Sequence, residues 1–248
     1  MNESESKTKS KSLKKDFIIL GIIVVLGLLL LPMGNGGRSG HRIRCINNIR
    51  NVGTAHMNYA SQNEGSLPIS YTRDAEGNRL LSWRYSLLPM LDNAALARKI
   101  DPQQPWNSPE NQQYSEIQIR VFICPDENDL PANGASFFTI TGEDTLFPVG
   151  SSVKLTQVEE ADGAANTLMI TEAAEMNVQW LEPRDILFSD VTTKPRDMLG
   201  IGPSSHHKNG LNAFYADGHA SIISKDVNPK VLRALITWNG GEEVPEGF

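Results

Sequence analysis

The sequence predicts an α+β fold, in which an N-terminal transmembrane helix is followed by a long amphipathic helix packed on an antiparallel sheet. Three observations lead to this prediction. An uncharged apolar run lies near the N-terminus, a three-to-four periodicity of apolar residues follows it, and short strand-like runs fill the second half of the chain. A helical segment followed by a series of strands is the order typical of α+β proteins.

The N-terminal segment has the pattern of a membrane anchor. Residues 1–16 form a basic tail with five lysines and three acidic residues. The run from Phe17 to Pro32 has no charged side chain and would be roughly 23 Å long as a helix. We therefore expect residues 17–33 to cross the membrane once, with the basic tail in the cytoplasm. A cleaved signal peptide is the alternative, but no A-x-A site follows the run.

The composition and pattern of the segment after the anchor predict a flexible linker and then a helix. Residues 34–40 contain four glycines, which disfavour helix, and we expect a linker there. An amphipathic helix that ends near Gly65 is then predicted, because apolar residues recur at helical spacing. These are Ile43, Ile46, Ile49, Val52, His56 and Tyr59. We expect residues 41–248 to form one domain outside the cytoplasm.

The rest of that domain shows a broken helical pattern and then strand signals. The pattern from Trp83 to Ile100 is helical but interrupted by Pro89. Strands are predicted at residues 117–123, 136–141, 167–171 and 178–181, and on both sides of Asp217-Gly218. Asp-Gly at a hairpin suits a type I′ turn, because both residues tolerate positive φ. A short helix at residues 228–237 is predicted to close the fold.

Composition argues against nucleic acid as a partner, and the motifs give no support for catalysis. The net charge is −6, and residues 17–248 carry −8 of it because residues 1–16 carry +2. Phosphates would be repelled by such a domain. The chain has no P-loop, no G-x-G-x-x-G and no G-x-S-x-G. No catalytic residue and no cofactor are therefore expected.

Several groups of polar or aromatic residues are candidates for metal, catalytic or glycan sites, but their positions favour structural roles. The set His206, His207, His219 and Asp217 contains groups suited to metal binding or acid–base chemistry. Their positions in a turn, a strand and a polar loop explain them without a metal. The acidic residues 159–162 lack the alternating carboxylates of a calcium loop. Trp83, Trp106 and Trp180 could form a glycan platform, but core positions are more common for tryptophan. No metal site is predicted.

The two cysteines, Cys45 and Cys124, lie far apart in the sequence and outside any C-x-x-C pair. Two buried free thiols and one disulfide are both compatible with this arrangement. Export to an oxidising compartment would favour the disulfide.

Several segments in order resemble a family of prepilin-like bacterial proteins. Its domain carries an H-x9-D-G signature and is known as domain of unknown function 1559. The matching segments include RCINNIRNVGTAHMNYASQNEGSLP, SWRYSLLPMLDNAALARKID, VFICPDE and ADGAANTLMITEA. In the signature, His207 precedes Asp217 and Gly218 at the required spacing. The resemblance covers residues 28–225.

This resemblance implies a pilin-like fold facing the outside of the bacterial inner membrane. It also implies a disulfide between Cys45 and Cys124, since members have cysteines at these positions. No activity is implied. The prepilin cleavage site is missing, because Asp16 stands where glycine is required and the apolar run contains no glutamate. We therefore expect a permanently anchored, pseudopilin-like protein that binds the membrane through residues 17–33 and interacts with envelope or secretion-system proteins. An extracytoplasmic module for a small ligand or glycan is the alternative.

Overall fold

The computed structural model of the chain describes residues 36–127, 130–191 and 202–245. Two compact units divide the chain, Met1–Ser39 and Gly40–Phe248, and the sheet and core belong to the second unit. The predicted membrane helix at 17–33 lies outside the described residues. Within the described ranges, no helix combines the length and the apolar character needed to span a bilayer.

The longest element is helix α1, Gly36–Gln62. The predicted amphipathic helix is confirmed, but it begins earlier than expected, because residues 36–40 of the predicted linker are helical. Glycine disfavours a helix by only about 1 kcal/mol per residue, so it does not prevent helix formation. The helix ends where Gly65, at φ +80°, donates its N–H to the carbonyl of Ala60 at 2.9 Å.

One face of α1 is buried and the other is exposed to solvent. Its buried residues recur at three-to-four spacing: Cys45, Ile49, Val52, Ala55, His56 and Ala60. Three of the six residues predicted for this face are less buried than expected. Ile46 and Tyr59 are half-buried, and Ile43 is 60% exposed because it precedes the first buried turn. His56 is fully buried as predicted, although its ring is polar.

Eight short strands follow α1 in the described part of the chain. They are β1 (Tyr71–Arg73), β2 (Arg79–Ser82), β3 (Phe137–Phe138), β4 (Ile140–Thr141), β5 (Leu168–Glu172), β6 (Ile186–Leu187), β7 (Gly210–Tyr215) and β8 (Ala220–Ser224). Five short helices accompany them: α2 (Trp83–Leu87), α3 (Ala94–Ala97), α4 (Pro109–Ser115), α5 (Leu155–Glu160) and α6 (Pro229–Ile236). The mixture of helix and antiparallel sheet confirms the α+β prediction.

The main sheet has four antiparallel strands in the order β3-β5-β7-β8. Strand β5 lies between β3 and β7, with Phe137 opposite Glu172 and Thr171 opposite Ala213. Strands β7 and β8 form the predicted hairpin. There are two smaller pairs in the described part of the chain: antiparallel β1-β2, which precedes the main sheet in sequence, and parallel β4-β6, whose strands alternate in sequence with β3, β5 and β7.

Helix α1 packs closely on strand β7. A Cβ atom added to Gly53 would lie 2.3 Å from the ring of Phe214, which is itself buried. Near the start of the helix, the Arg42 guanidinium donates to the Gly210 carbonyl at 3.4 Å. The absence of a side chain at Gly53 therefore allows the backbone of α1 to approach the sheet.

Two predicted strands are not formed. Residues 117–123 were expected to alternate, but residues 120–122 form a 3-10 turn. Phe122 is the fully buried side chain there, and its ring packs against Trp83 and Trp180 at 6.3 and 6.2 Å. Residues 178–181 contribute only an isolated bridge between Gly134 and Gln179.

The hairpin turn also differs from the predicted type I′. Gly218 has φ +96°, whereas Asp217 is not among the residues with positive φ. The N–H of Gly218 donates to the Tyr215 carbonyl at 3.0 Å, and the N–H of Tyr215 donates to the His219 carbonyl at 3.0 Å. This is a three-residue loop in which a type I turn is followed by a glycine bulge.

Candidate functional site

Four chemically reactive side chains from remote parts of the sequence meet in the core. Cys45 lies on α1, Cys124 follows the 3-10 turn, Glu172 ends β5, and His207 precedes β7. One ligand atom of each residue lies within 4.8 Å of those of the other three. All four residues are buried. We refer to them as the Cys-Cys-Glu-His cluster.

The imidazole of His207 is oriented by contacts at both nitrogens. Its Nε2 faces the cluster, 3.5 Å from Cys124 Sγ and 3.4 Å from Glu172 Oε1. Its Nδ1 lies 2.9 Å from Asp126 Oδ2, and the other oxygen of Asp126 lies 2.7 Å from His41 Nδ1. The carboxylate of Asp126 therefore turns Nε2 of His207 towards the two sulphur atoms.

The carboxylate of Glu172 is held by strand β7 and by the first cysteine. The backbone N–H of Asn212 donates to its Oε2 at 2.7 Å, and the Asn212 side-chain amide donates to its Oε1 at 2.9 Å. The Cys45 thiol donates to Oε1 as well. The carboxylate of Glu172 therefore connects β5 to β7 through hydrogen bonds with both N–H groups of Asn212.

Burial and mutual hydrogen bonding shift the pKa values of the cluster in opposite directions. Burial raises the pKa of the Cys45 thiol, and the neighbouring Cys124 and Glu172 raise it further. The hydrogen bond with Cys45 lowers the pKa of Cys124, against the effect of burial. Burial opposes the charge on His207, but its hydrogen bonds with Cys124 and Glu172 prevail and raise its pKa to about 10.

Glu172 keeps its charge despite its location. Burial favours the neutral acid, but hydrogen bonds from His207 and from the Asn212 backbone outweigh it and lower the pKa of Glu172. At neutral pH, an imidazolium and a carboxylate therefore lie side by side in the core.

The structure brings the two cysteines together, as the predicted disulfide requires, but both are free thiols. The disulfide therefore stays a prediction. The sequence, by contrast, predicts no metal site, because nothing in its linear pattern connects Cys45 and Cys124 with His207.

The histidines and Asp217, considered together in the sequence, make separate contacts. The Asp217 side chain accepts the His219 N–H at 3.0 Å and lies 2.6 Å from its ring nitrogen Nδ1. The ring of His219 stacks on Tyr215 with centroids 4.2 Å apart. These are turn contacts at a partly exposed position, as expected for Asp217. His206 faces Glu175 at 4.0 Å, and His207 alone of this group joins the cluster.

The remaining sequence candidates have structural contacts. Asp162 accepts the N–H groups of Gly240 and Gly241 at 2.8 and 3.0 Å, so it fastens the C-terminal loop. Trp83 and Trp180 are core residues, whereas Trp106 is half-buried.

Sequence reasoning missed Glu172, Asp126 and Asn212 altogether. Glu172 ends the apolar run LMITE, where a charged residue in an otherwise buried strand is unusual. That local signal could have identified it. Asp126 follows Cys124 by two residues, and their proximity to His207 becomes evident only in the folded chain.

An open cleft of about 460 Å³ lies next to His207. It is lined by Ser205, His206, His207, Lys208, Gly210, Leu211 and Lys225. The two lysines give this surface a positive character. The cleft borders the cluster but does not open it to solvent, because the side chains of Glu172 and His207 are 3% and 4% exposed.

Together, the fold and the site define an α+β protein in which a long helix and an antiparallel sheet meet at a buried Cys-Cys-Glu-His cluster. A family model described as a protein of unknown function (DUF1559) matches residues 40–157. The resemblance recognised in the sequence is thereby confirmed for that segment of the chain. Comparison with curated proteins and with solved structures gives no match.

Proposed function

We propose that this chain is a membrane-anchored, pseudopilin-like envelope protein with a structural or protein-interaction role and no catalytic activity. The observation that carries the proposal is a 27-residue helix packed along a four-stranded antiparallel sheet. In the sequence, an uncharged apolar run at residues 17–32 precedes this helix. A chain with this order is suited to hold a rigid domain at the surface of a membrane.

The location of the most reactive side chains supports a non-catalytic role. A substrate would have to reach Cys45, Cys124, Glu172 or His207, and all four are buried. Their polar contacts are with one another and with Asp126 and Asn212, which hold His207 and Glu172 in place. Such a cluster holds elements of the fold together rather than presenting a nucleophile to solvent.

Exposed apolar side chains support an interaction role. Ile43 on α1 is 60% exposed, and Ile222 on β8 is 45% exposed. Strand β8 is an edge of the four-stranded sheet, and edge strands are places where other chains can pair. We expect contacts with envelope or secretion-system proteins at this side of the domain.

Reporter fusions at the C-terminus test the proposed topology. A periplasmic alkaline phosphatase fusion should be active, and a fluorescent protein that folds only in the cytoplasm should be dark. The chain should remain in the membrane pellet after alkaline extraction, and intact mass should show that the N-terminus is uncleaved. A bright cytoplasmic fusion, or a chain released from the membrane, would refute the proposal.

The cleft next to His207 favours a second candidate function, a module that binds a small anionic ligand. Its volume of about 460 Å³ is in the range of small-molecule sites, and Lys208 and Lys225 line it. Titration with inorganic phosphate tests this. Saturable binding that is lost in the Lys208→Gln, Lys225→Gln double variant would favour it, and absence of any anion-dependent stabilisation would weigh against it.

A further inference from the structure

We propose that the Cys-Cys-Glu-His cluster is a structural zinc site. Its donors are two thiolate sulphurs, one imidazole nitrogen and one carboxylate oxygen, all of which bind Zn²⁺ in proteins. They come from α1, from the loop around Cys124, from β5 and from the loop before β7. A single ion would therefore connect α1 to the sheet and to two loops.

The spacing of the ligand atoms suits tetrahedral coordination. Bonds of about 2.0–2.3 Å place neighbouring ligand atoms roughly 3.3–3.8 Å apart. His207 Nε2 lies 3.5 Å from Cys124 Sγ and 3.4 Å from Glu172 Oε1, and all four ligand atoms lie within 4.8 Å of one another.

The contacts around the ligands support a metal more specifically. In zinc sites, a histidine that binds through one nitrogen commonly donates its other N–H to a carboxylate. His207 has this arrangement, since Nε2 faces the cluster and Nδ1 lies 2.9 Å from Asp126 Oδ2. Glu172 is fixed in the same way by Asn212, whose two N–H groups hold its carboxylate.

The chemistry of the donors also suits a divalent cation. Glu172 is 3% exposed, and a buried carboxylate must be paired or must coordinate a metal. A divalent ion that binds here displaces the protons of both thiols and of His207 Nε2. The ion then offsets two of the three negative charges on the carboxylate and the two thiolates. The combination of sulphur with nitrogen and oxygen ligands selects zinc over magnesium or calcium, which take oxygen ligands.

The site is closed by four protein side chains, which is typical of structural rather than catalytic zinc. The zinc site is independent of the proposed envelope function.

Zinc binding competes directly with the disulfide, because a Cys45–Cys124 bond would occupy the same two sulphur atoms. The zinc-bound state uses all four side chains of the cluster as ligands, and the disulfide state leaves Glu172 and His207 as a buried ion pair.

Metal analysis of the full chain decides between these states. The protein is purified in detergent from zinc-containing medium, without chelator or reductant, and its zinc content and intact mass are measured. We expect one zinc per chain, retained through dialysis, and a mass that shows both thiols reduced. A metal-free chain whose mass is lower by two hydrogens would establish the disulfide and overturn the zinc site.

Single substitutions then assign the ligands. Cys45→Ser, Cys124→Ser, Glu172→Gln and His207→Gln should each lose most of the zinc, whereas the neighbouring His206→Gln should retain it. Because a ligand variant can fail to fold, cobalt replacement in the wild-type chain provides a second readout. Tetrahedral cobalt with thiolate charge-transfer bands supports the site, and a spectrum without thiolate bands contradicts it.

Discussion

His207 Nδ1 lies 2.9 Å from Asp126 Oδ2, while Nε2 of the same ring faces Glu172 and Cys124. This relationship orients His207 and connects a loop carboxylate to the buried cluster. It also separates the predicted H-x9-D-G signature into two parts with different contacts. His207 belongs to the core cluster, and Asp217-Gly218 form the hairpin turn.

Replacing Asp126 tests this orienting role. Asp126→Asn should weaken zinc binding by roughly 10–100-fold, as other losses of a carboxylate partner to a ligand histidine do. Competition with a chromophoric chelator measures the affinity. Asp217→Asn is the matched control, because it alters a partly exposed Asp–His contact outside the cluster and should leave zinc affinity unchanged. Equal affinities in the wild-type and Asp126→Asn chains would contradict the role.

Because α1 lies so close to the sheet, adding one methyl group at Gly53 should lower the stability of the domain. Gly53→Ala should destabilise the domain by about 1–3 kcal/mol, because the new Cβ would overlap the buried Phe214 ring. This is the opposite of the helix-propensity effect, which favours alanine by about 1 kcal/mol. Gly40→Ala, a helical glycine with nothing within 4 Å of its Cβ, should be neutral or stabilising. Chemical denaturation measures both, and a stabilised Gly53→Ala variant would show that the helix is farther from the sheet.

The buried pair Arg84–Asp185 predicts a large effect of removing one charge. Asp185 lies 3.3 Å from Arg84 and also accepts the Trp83 indole N–H at 3.0 Å. Asp185→Ala should therefore cost about 3–5 kcal/mol, since it leaves the Arg84 guanidinium buried without its counter-charge. The exposed pair Arg184–Glu182 provides the control, and Arg184→Gln should cost less than about 1 kcal/mol. Similar losses in the free energy of unfolding from both variants would show that the buried pair contributes no more than the exposed one.

The buried His56 predicts that acid lowers stability. Burial lowers the pKa of His56 from 6.5 to about 4, and the nearby Arg84 charge acts in the same direction. As the pH falls from 6.5 to 4, the unfolded chain binds a proton that the folded chain does not. The free energy of unfolding therefore decreases, by roughly 3 kcal/mol from this group.

The variant His56→Phe tests this pH dependence. Phenylalanine preserves the ring that packs against Trp83 and Phe147, at 4.6 and 5.7 Å, and has no titrating group. Denaturation at a series of pH values should show a smaller decrease between pH 6.5 and 4 in the variant than in the wild type. Parallel curves would mean that His56 titrates normally in the folded protein.

Local patterns in the sequence predicted the elements that depend on neighbouring residues. The periodicity around Ile49 and Val52 predicted α1, and the runs on both sides of Asp217 predicted the β7-β8 hairpin. The turn type was wrong because a third loop residue, Ala216, lets Gly218 alone adopt positive φ.

Long-range packing could not be predicted in this way. Residues 117–123 alternate like a strand, but the burial of Phe122 between Trp83 and Trp180 determines their conformation. The Cys-Cys-Glu-His cluster was missed for the same reason. Its four residues come from segments that meet only when α1, β5 and the loops have folded together.

X-ray absorption at the zinc edge of the full-length protein shows whether a metal joins α1 to the sheet. The proposed site should give a mixed first shell with sulphur at about 2.3 Å and nitrogen or oxygen at about 2.0–2.1 Å, in equal numbers. A shell of nitrogen and oxygen alone would show that the two cysteines do not bind the ion, and would contradict the assignment.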